Sequence, residues 1–188
     1  MPHFLFLSRY MQKTIQVLDK EFTLHIPYEM LQGKIYELAQ QLESETRGRN
    51  PLFVVMLNGA FMFAAELMKY FNSPAEISFV KFSSYAGTQS SGKVDKLIGL
   101  TNSIEGRDVI IIEDIVESGL TMKDCTEMLK AQGAASVKIA ALFVKPRCMI
   151  YDVKVDYPVL EIGDDFIVGF GLDYNGYGRN YKDIYKLK

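Results

Sequence analysis

Residues 109–121 read VIIIEDIVESGLT. Four β-branched residues, Val109–Ile112, run without polar alternation into Glu113 and Asp114. A continuous apolar run of this kind fits a strand covered on both faces, as in a parallel sheet. Two acids stand at its carboxyl end. A third, Glu117, follows one turn later, and then Ser118-Gly119. From Leu120 to Gln132, the residues Met122, Cys125, Met128 and Leu129 recur on one face of a helix, with Gly133 as its expected C-cap. The unit is strand, acids, small-residue turn, helix.

The same pattern extends outward. LFVVML (52–57) and Val137–Val144 are further runs suited to central strands, and Ile77–Tyr85 alternates as a strand. Pro27 opens a helix whose apolar positions are Met30, Leu31, Ile35, Leu38, Ala39 and Leu42, stopped by RGRNP (47–51). Asn58-Gly59 turns the chain into a helix over 60–71. TIQVL (14–18), Val159–Ile162 and Phe166–Phe170 are short strand-like pieces outside this core. The central β-α-β-α-β order predicts an α/β fold, a doubly wound, mainly parallel sheet flanked by helices. Ligands of such sheets sit beyond the strand carboxyl ends. Asn58-Gly59, Glu113-Asp114 and Lys145 all fall there, so one rim is expected to gather them.

The length of 188 residues fits one domain over 1–188. Residues 1–10 are expected to be a tail, with Met11 an alternative start. The leading FLFL is too short for a signal peptide, and no run is long enough to span a bilayer. A net charge of −2 gives no general pull toward nucleic acid or anionic membrane, so any phosphate site must be local. Two cysteines without a CxxC spacing point to free thiols and a reducing, cytoplasmic setting. His3 and His25 are the only histidines, which argues against histidine-based catalysis or a histidine metal site.

Gly119 permits a tight turn, and the amides of a helix start favour an anion, with hydroxyls from Ser118 and Thr121 as further donors. Taken alone, Ser118 is as well explained as a helix cap. The adjacent acids shift the balance, since carboxylates accept hydrogen bonds from a sugar diol or reach Mg²⁺. Sugar plus phosphate is the favoured reading of 113–121.

This stretch resembles the phosphoribosyl-pyrophosphate (PRPP) motif of the type I phosphoribosyltransferases. LNGAFMFAAEL (57–67), FSSYAGTQSSGKV (82–94), VKPR (144–147) and FIVGFGLDYNGYGRN (166–180) resemble, in the same order, the hypoxanthine-guanine phosphoribosyltransferases. The resemblance covers roughly residues 14–185. It implies transfer of phosphoribose from PRPP to hypoxanthine or guanine, with Mg²⁺ as cofactor. It also implies a small hood formed from about 11–25 and 151–185, and a homodimer or homotetramer.

Residue by residue, the resemblance implies that Glu113 and Asp114 hold the ribose hydroxyls and reach the metal, while Ser118, Gly119, Leu120 and Thr121 bind the 5′-phosphate. Asn58 and Gly59 form the pyrophosphate turn, in which many members carry Lys-Gly. Arg179 binds pyrophosphate and Asp173 reaches Mg²⁺. Lys145 reads the purine 6-oxo group, since an ammonium only donates. Phe166 stacks on the base and Ile167 contacts its edge. Ser84 and Tyr85 belong to a mobile lid over 84–94 that excludes water.

Glu117 takes the place of the family's usual aspartate, the general base at purine N7. The intrinsic pKa values differ little, about 3.9 for Asp and about 4.3 for Glu, so reach changes more than basicity. An active enzyme is expected. Two alternatives compete with it. One is a non-catalytic PRPP- or nucleotide-sensing regulator on the same fold, supported by Glu117 and Asn58 alone. The other is a phospho-accepting receiver domain, whose acid pair should stand nearer the start of the chain.

Overall fold

The computed structural model describes residues 13–83, 96–100 and 103–188. The run 109–112 lies in β6 (Asp108–Val116), at the centre of a six-stranded sheet. The other members are β3 (Leu52–Met56), β4 (Glu76–Ser83), β5 (Lys96–Ile98), β7 (Ser136–Val144) and β8 (Tyr157–Glu161). Their order is β5-β4-β3-β6-β7-β8, parallel throughout except that β5 runs antiparallel to β4. Five parallel strands need crossover helices over both faces, which is why β3 is buried at every position. The predicted doubly wound sheet is present.

Among the described residues, three helices supply the layers: α1 (Tyr28–Glu45), α2 (Phe61–Tyr70) and α3 (Leu120–Ala131). Helix α1 buries Leu31, Ile35, Leu38, Ala39 and Leu42. Met30, expected on that face, is 52% exposed. One residue is about 100° of helix rotation, enough to carry it off a stripe centred on Leu31, Ile35 and Leu38. Among the described residues, no helix is long and apolar enough to cross a membrane.

Two expected boundaries are corrected. The strand expected to end at Ile112 continues through both acids to Val116, because β7 goes on pairing beside it, with Glu113 opposite Ala141 and Val116 opposite Val144. Residues 157–161, assigned from sequence to the hood, pair in parallel with β7 as the sixth strand of the main sheet. The tail 1–10 and the lid 84–94, with Ser84 and Tyr85, lie outside the described residues.

A second sheet has the order β1-β2-β10-β9, from β1 (Thr14–Val17), β2 (Lys20–Ile26), β9 (Ile167–Val168) and β10 (Ile184–Leu187). Val17, Phe22, Val168 and Tyr185 form its own small core. It is tied to the larger layer at the start of α1. Pro27 precedes that helix and has no side-chain acceptor to offer as a cap. Asp183 serves instead, accepting the Tyr28 N–H at 2.9 Å and the Lys13 ammonium at 2.9 Å. Burial alone would raise the Asp183 carboxyl, but these donors outweigh it and hold it below its usual range.

Candidate active site

Helix α3 starts at Gly119, whose φ of +84° lies in the left-handed region that favours glycine. No side chain caps this helix. The Ser118 hydroxyl meets the Leu120 N–H only at 3.4 Å, so the capping explanation of Ser118 is weak and the first-turn amides remain available to an anion. The turn is held from behind, since the Ser118 carbonyl accepts N–H bonds from both Ile150 and Tyr151 at 3.0 Å. In front of it opens a cavity of about 160 Å³, walled by Glu113, Ile115, Glu117, Ser118, Gly119 and Thr121.

Glu113 projects into this wall with one carboxylate oxygen, Oε2, fully buried and without a hydrogen-bond partner. Burial first, and then the neighbouring Asp114 charge, push its carboxyl well above the ordinary range. A buried polar atom without a partner is costly, and a ligand hydroxyl would satisfy it. The sign of the linkage follows. A carboxyl raised in the folded state loses stability as pH climbs above its unfolded value, until the folded value is reached. Glu113→Gln is therefore expected to stabilise the free protein at pH 7 by about 1 kcal/mol, or about 2–4 °C. The gain should shrink toward pH 4, while PRPP affinity falls. Thermal unfolding of both proteins between pH 4 and 8 checks the first expectation, and a PRPP titration the second.

Asp114 lines a second cavity, of about 200 Å³, together with Glu117, Lys145, Phe166, Ile167 and Asp173. The two acids expected to work as a pair thus face different cavities, as successive strand residues do. Ile115 and Glu117 form the wall shared by both. Gly59 closes on Asp114 from β3, because a Cβ at residue 59 would stand 1.6 Å from Asp114 Oδ2. Gly171, at φ +103°, in turn presses on Gly59, since its Cβ would stand 2.0 Å from the Gly59 carbonyl oxygen. The Leu57–Asn58 peptide that leads into this turn is cis.

Lys145 follows Val144 as Glu117 follows Val116, so register places them side by side at the ends of β7 and β6. The Lys145 N–H bonds the Val116 carbonyl at 2.9 Å, and its ammonium pairs with Glu117 Oε1. Lys145 is only 5% exposed, whereas the Glu117 side chain is 54% exposed. A fixed donor thus stands beside an acceptor that opens to the cavity. Phe166 presents a 45% exposed ring, backed by Phe22 at 6.3 Å and by the edge of Tyr174 at 6.0 Å. Ile167 begins β9 beneath it and is buried.

Arg179 lies on the loop that carries Asp173. Its guanidinium donates to the Gly171 carbonyl at 2.6 Å and pairs with Asp173 Oδ1 at 2.5 Å, while the Gly176 N–H holds Asp173 Oδ2 at 2.6 Å. Among the described residues no cluster of three or more His, Cys, Asp or Glu forms a metal cage. Mg²⁺ does not need one, as it commonly keeps waters and substrate phosphates and takes one or two carboxylates from the protein. Asp114 and Asp173 offer such hard oxygen donors on one cavity. Glu113 faces the first cavity, where its unpartnered oxygen could accept a hydrogen bond from a ligand hydroxyl.

The geometry brings Asn58-Gly59, Glu113, Asp114, Glu117–Thr121, Lys145, Phe166, Ile167, Asp173 and Arg179 to one rim. Sequence reasoning missed Ile115, Gly171 and the amides of Ile150 and Tyr151. The glycine density of GFGLDYNGYG (169–178) was the available signal for Gly171. The two backing amides have no side-chain signature.

A family model for the phosphoribosyl transferase domain matches residues 27–175, more than half of the chain. The chain belongs to the phosphoribosyltransferase family. It is 46% identical over 156 residues to the hypoxanthine-guanine phosphoribosyltransferase of Streptococcus thermophilus, covering 82% of this chain and 87% of that one. It is 45% identical over 152 residues to the enzyme of the same name from Streptococcus agalactiae, covering 80% and 83%. Among solved structures, a hypoxanthine phosphoribosyltransferase from Staphylococcus aureus superposes with a TM-score of 0.80 at 36% identity, covering 88% of this chain and 90% of that one.

Proposed function

We propose that this chain transfers the phosphoribosyl group of PRPP to hypoxanthine or guanine, releasing pyrophosphate and the purine nucleotide. The observation that carries this reading is the shared wall at Ile115 and Glu117. On one side lies an anion cradle with an unpartnered carboxyl. On the other lies a pocket with a buried lysine donor and an exposed aromatic ring. A bond between a ribose carbon and a purine nitrogen would form where the two cavities meet.

The residues divide the work accordingly. The 118–121 turn holds the 5′-phosphate on helix amides. Glu113 accepts a ribose hydroxyl. Lys145 donates to the purine 6-oxo oxygen and is mismatched with the amino group of adenine. Phe166 stacks on the ring. Glu117 takes the proton from purine N7 as N9 bonds to C1′ and the C1′–oxygen bond to pyrophosphate breaks. Arg179 and the 58–59 turn stabilise the departing pyrophosphate. Asp114 and Asp173 are the residues suited to hold Mg²⁺, which when bound neutralises charge on the diphosphate. The chain is further proposed to act in the cytoplasm as a homodimer or homotetramer.

The test is nucleotide formation from PRPP with hypoxanthine, guanine, xanthine or adenine, with Mg²⁺ and with a chelator. Mg²⁺-dependent formation of IMP or GMP, with adenine inert, is the expected result. Binding of PRPP without turnover of any base would overturn the enzyme reading in favour of a regulator.

A further inference from the structure

We infer that Asp173 is a positioning residue for Arg179, holding its guanidinium against the pyrophosphate turn whether or not a metal is bound. This rests on the reading of Arg179 as a pyrophosphate ligand. Four contacts build the clamp. Asp173 Oδ1 takes one end of the guanidinium at 2.5 Å and the Gly171 carbonyl takes the other at 2.6 Å. Asp173 is itself fixed, its second oxygen accepting the Gly176 N–H at 2.6 Å. Gly171 is fixed as well, because its backbone lies against the Gly59 carbonyl so closely that a Cβ would stand 2.0 Å away. The guanidinium therefore rests on a support that touches the 58–59 turn.

A free arginine side chain loses rotamer entropy when it is fixed on a ligand. Here two of the five N–H donors are committed to the support, which leaves the rest of the fork aimed and available. Both partners are partly exposed, Arg179 at 27% and Asp173 at 28% of their side chains, so the clamp stands at the cavity edge where an anion has access.

The two roles open to Asp173 give opposite signs in one measurement. If its only task is to hold metal, then without metal it is merely an anion near an anion site. Removing it would leave pyrophosphate affinity unchanged or raise it. If it positions Arg179, removing it frees the guanidinium and affinity falls.

The experiment is calorimetric titration of the full chain with inorganic pyrophosphate at low ionic strength, in excess chelator and again with Mg²⁺. The proteins are wild type, Asp173→Ala, Asp173→Asn and Arg179→Ala. The expected result in chelator is measurable binding by wild type, a loss of about tenfold in Asp173→Ala, and a smaller loss in Asp173→Asn, which keeps an acceptor. Arg179→Ala should lose at least as much as Asp173→Ala. Unchanged or tighter metal-free binding by Asp173→Ala, with Arg179→Ala impaired, would overturn the clamp and leave the reading of Arg179 standing. So would wild-type binding that needs Mg²⁺. Unimpaired binding by Arg179→Ala would overturn that reading and the clamp with it. Thermal unfolding of each variant separates loss of the site from loss of the fold.

Discussion

Gly59→Ala should lower kcat/KM by about 10²–10³-fold with little loss of stability. The added methyl would lie 1.6 Å from Asp114 Oδ2 and 2.3 Å from its Cγ. Neither Gly59 nor Asp114 has room to yield along the backbone. Residue 59 is packed under Gly171, and Asp114 sits within the β6–β7 ladder between the registered pairs Glu113–Ala141 and Ile115–Phe143. The Asp114 side chain must therefore rotate, which moves its carboxylate out of its place in the second cavity. Misplacing a reacting or binding group by about 1 Å is enough for a loss of about 10²-fold. The polar carboxylate can turn toward solvent, so the fold should tolerate the change. Steady-state kinetics beside a melting curve checks both halves, and a variant that melts early with normal activity would contradict the geometry.

The second large effect is expected from Lys145→Met. This change keeps length and apolar stem but removes the ammonium. Catalytic efficiency with hypoxanthine should fall at least about 10²-fold, the size of a lost charge-assisted hydrogen bond to the oxo group together with a disturbed Glu117. Removing one partner of a buried ion pair usually destabilises by about 3–5 kcal/mol, because the survivor is left charged in a dry place. Here the survivor is Glu117, whose side chain is 54% exposed. The stability cost should accordingly be small. Selectivity for hypoxanthine over adenine should also narrow. Assays with both bases, and a melting curve, measure all three quantities.

The fold was legible where burial is two-sided. Val109–Ile112, Leu52–Met56 and Val137–Val144 announce central parallel strands because nothing polar interrupts them. The termination of β6 was misjudged for a physical reason. Glu113 and Asp114 look like a strand end, yet the backbone ladder to β7 is indifferent to side-chain charge and continues to Val116. Tyr157–Glu161 was placed in the hood through the resemblance, and its sequence, YPVLE, carries a proline and no long apolar run. An edge strand of the main sheet has just that character, and Pro158 is tolerated there.

The site divides in the same way. The cradle at 117–121 could be derived from glycine, hydroxyls and a helix start. Lys145, Phe166, Asp173 and Arg179 were assigned through resemblance, since each is ordinary in its local sequence. What makes them a site is tertiary. Lys145 meets Glu117 by strand register, Arg179 reaches Gly171 across a turn, and Gly171 touches Gly59 from another part of the chain. No window of sequence contains those approaches.

The cap that Asp183 supplies to Tyr28 has a bearing on how the chain is made. The two residues are separated by 155 positions. At a synthesis rate of about 5–20 residues per second, Tyr28 is made about 8–30 s before the carboxylate that will receive its amide. During that interval the first helix begins with a bare amino end. Its Leu31, Ile35 and Leu38 have no sheet to cover until β3 and β6 exist. On the ribosome, then, the first helix waits for the last strands. A block in elongation before residue 183 would leave the start of that helix without its cap, and a ribosome-bound nascent chain halted there should be cut by protease near residue 28 more readily than the released protein.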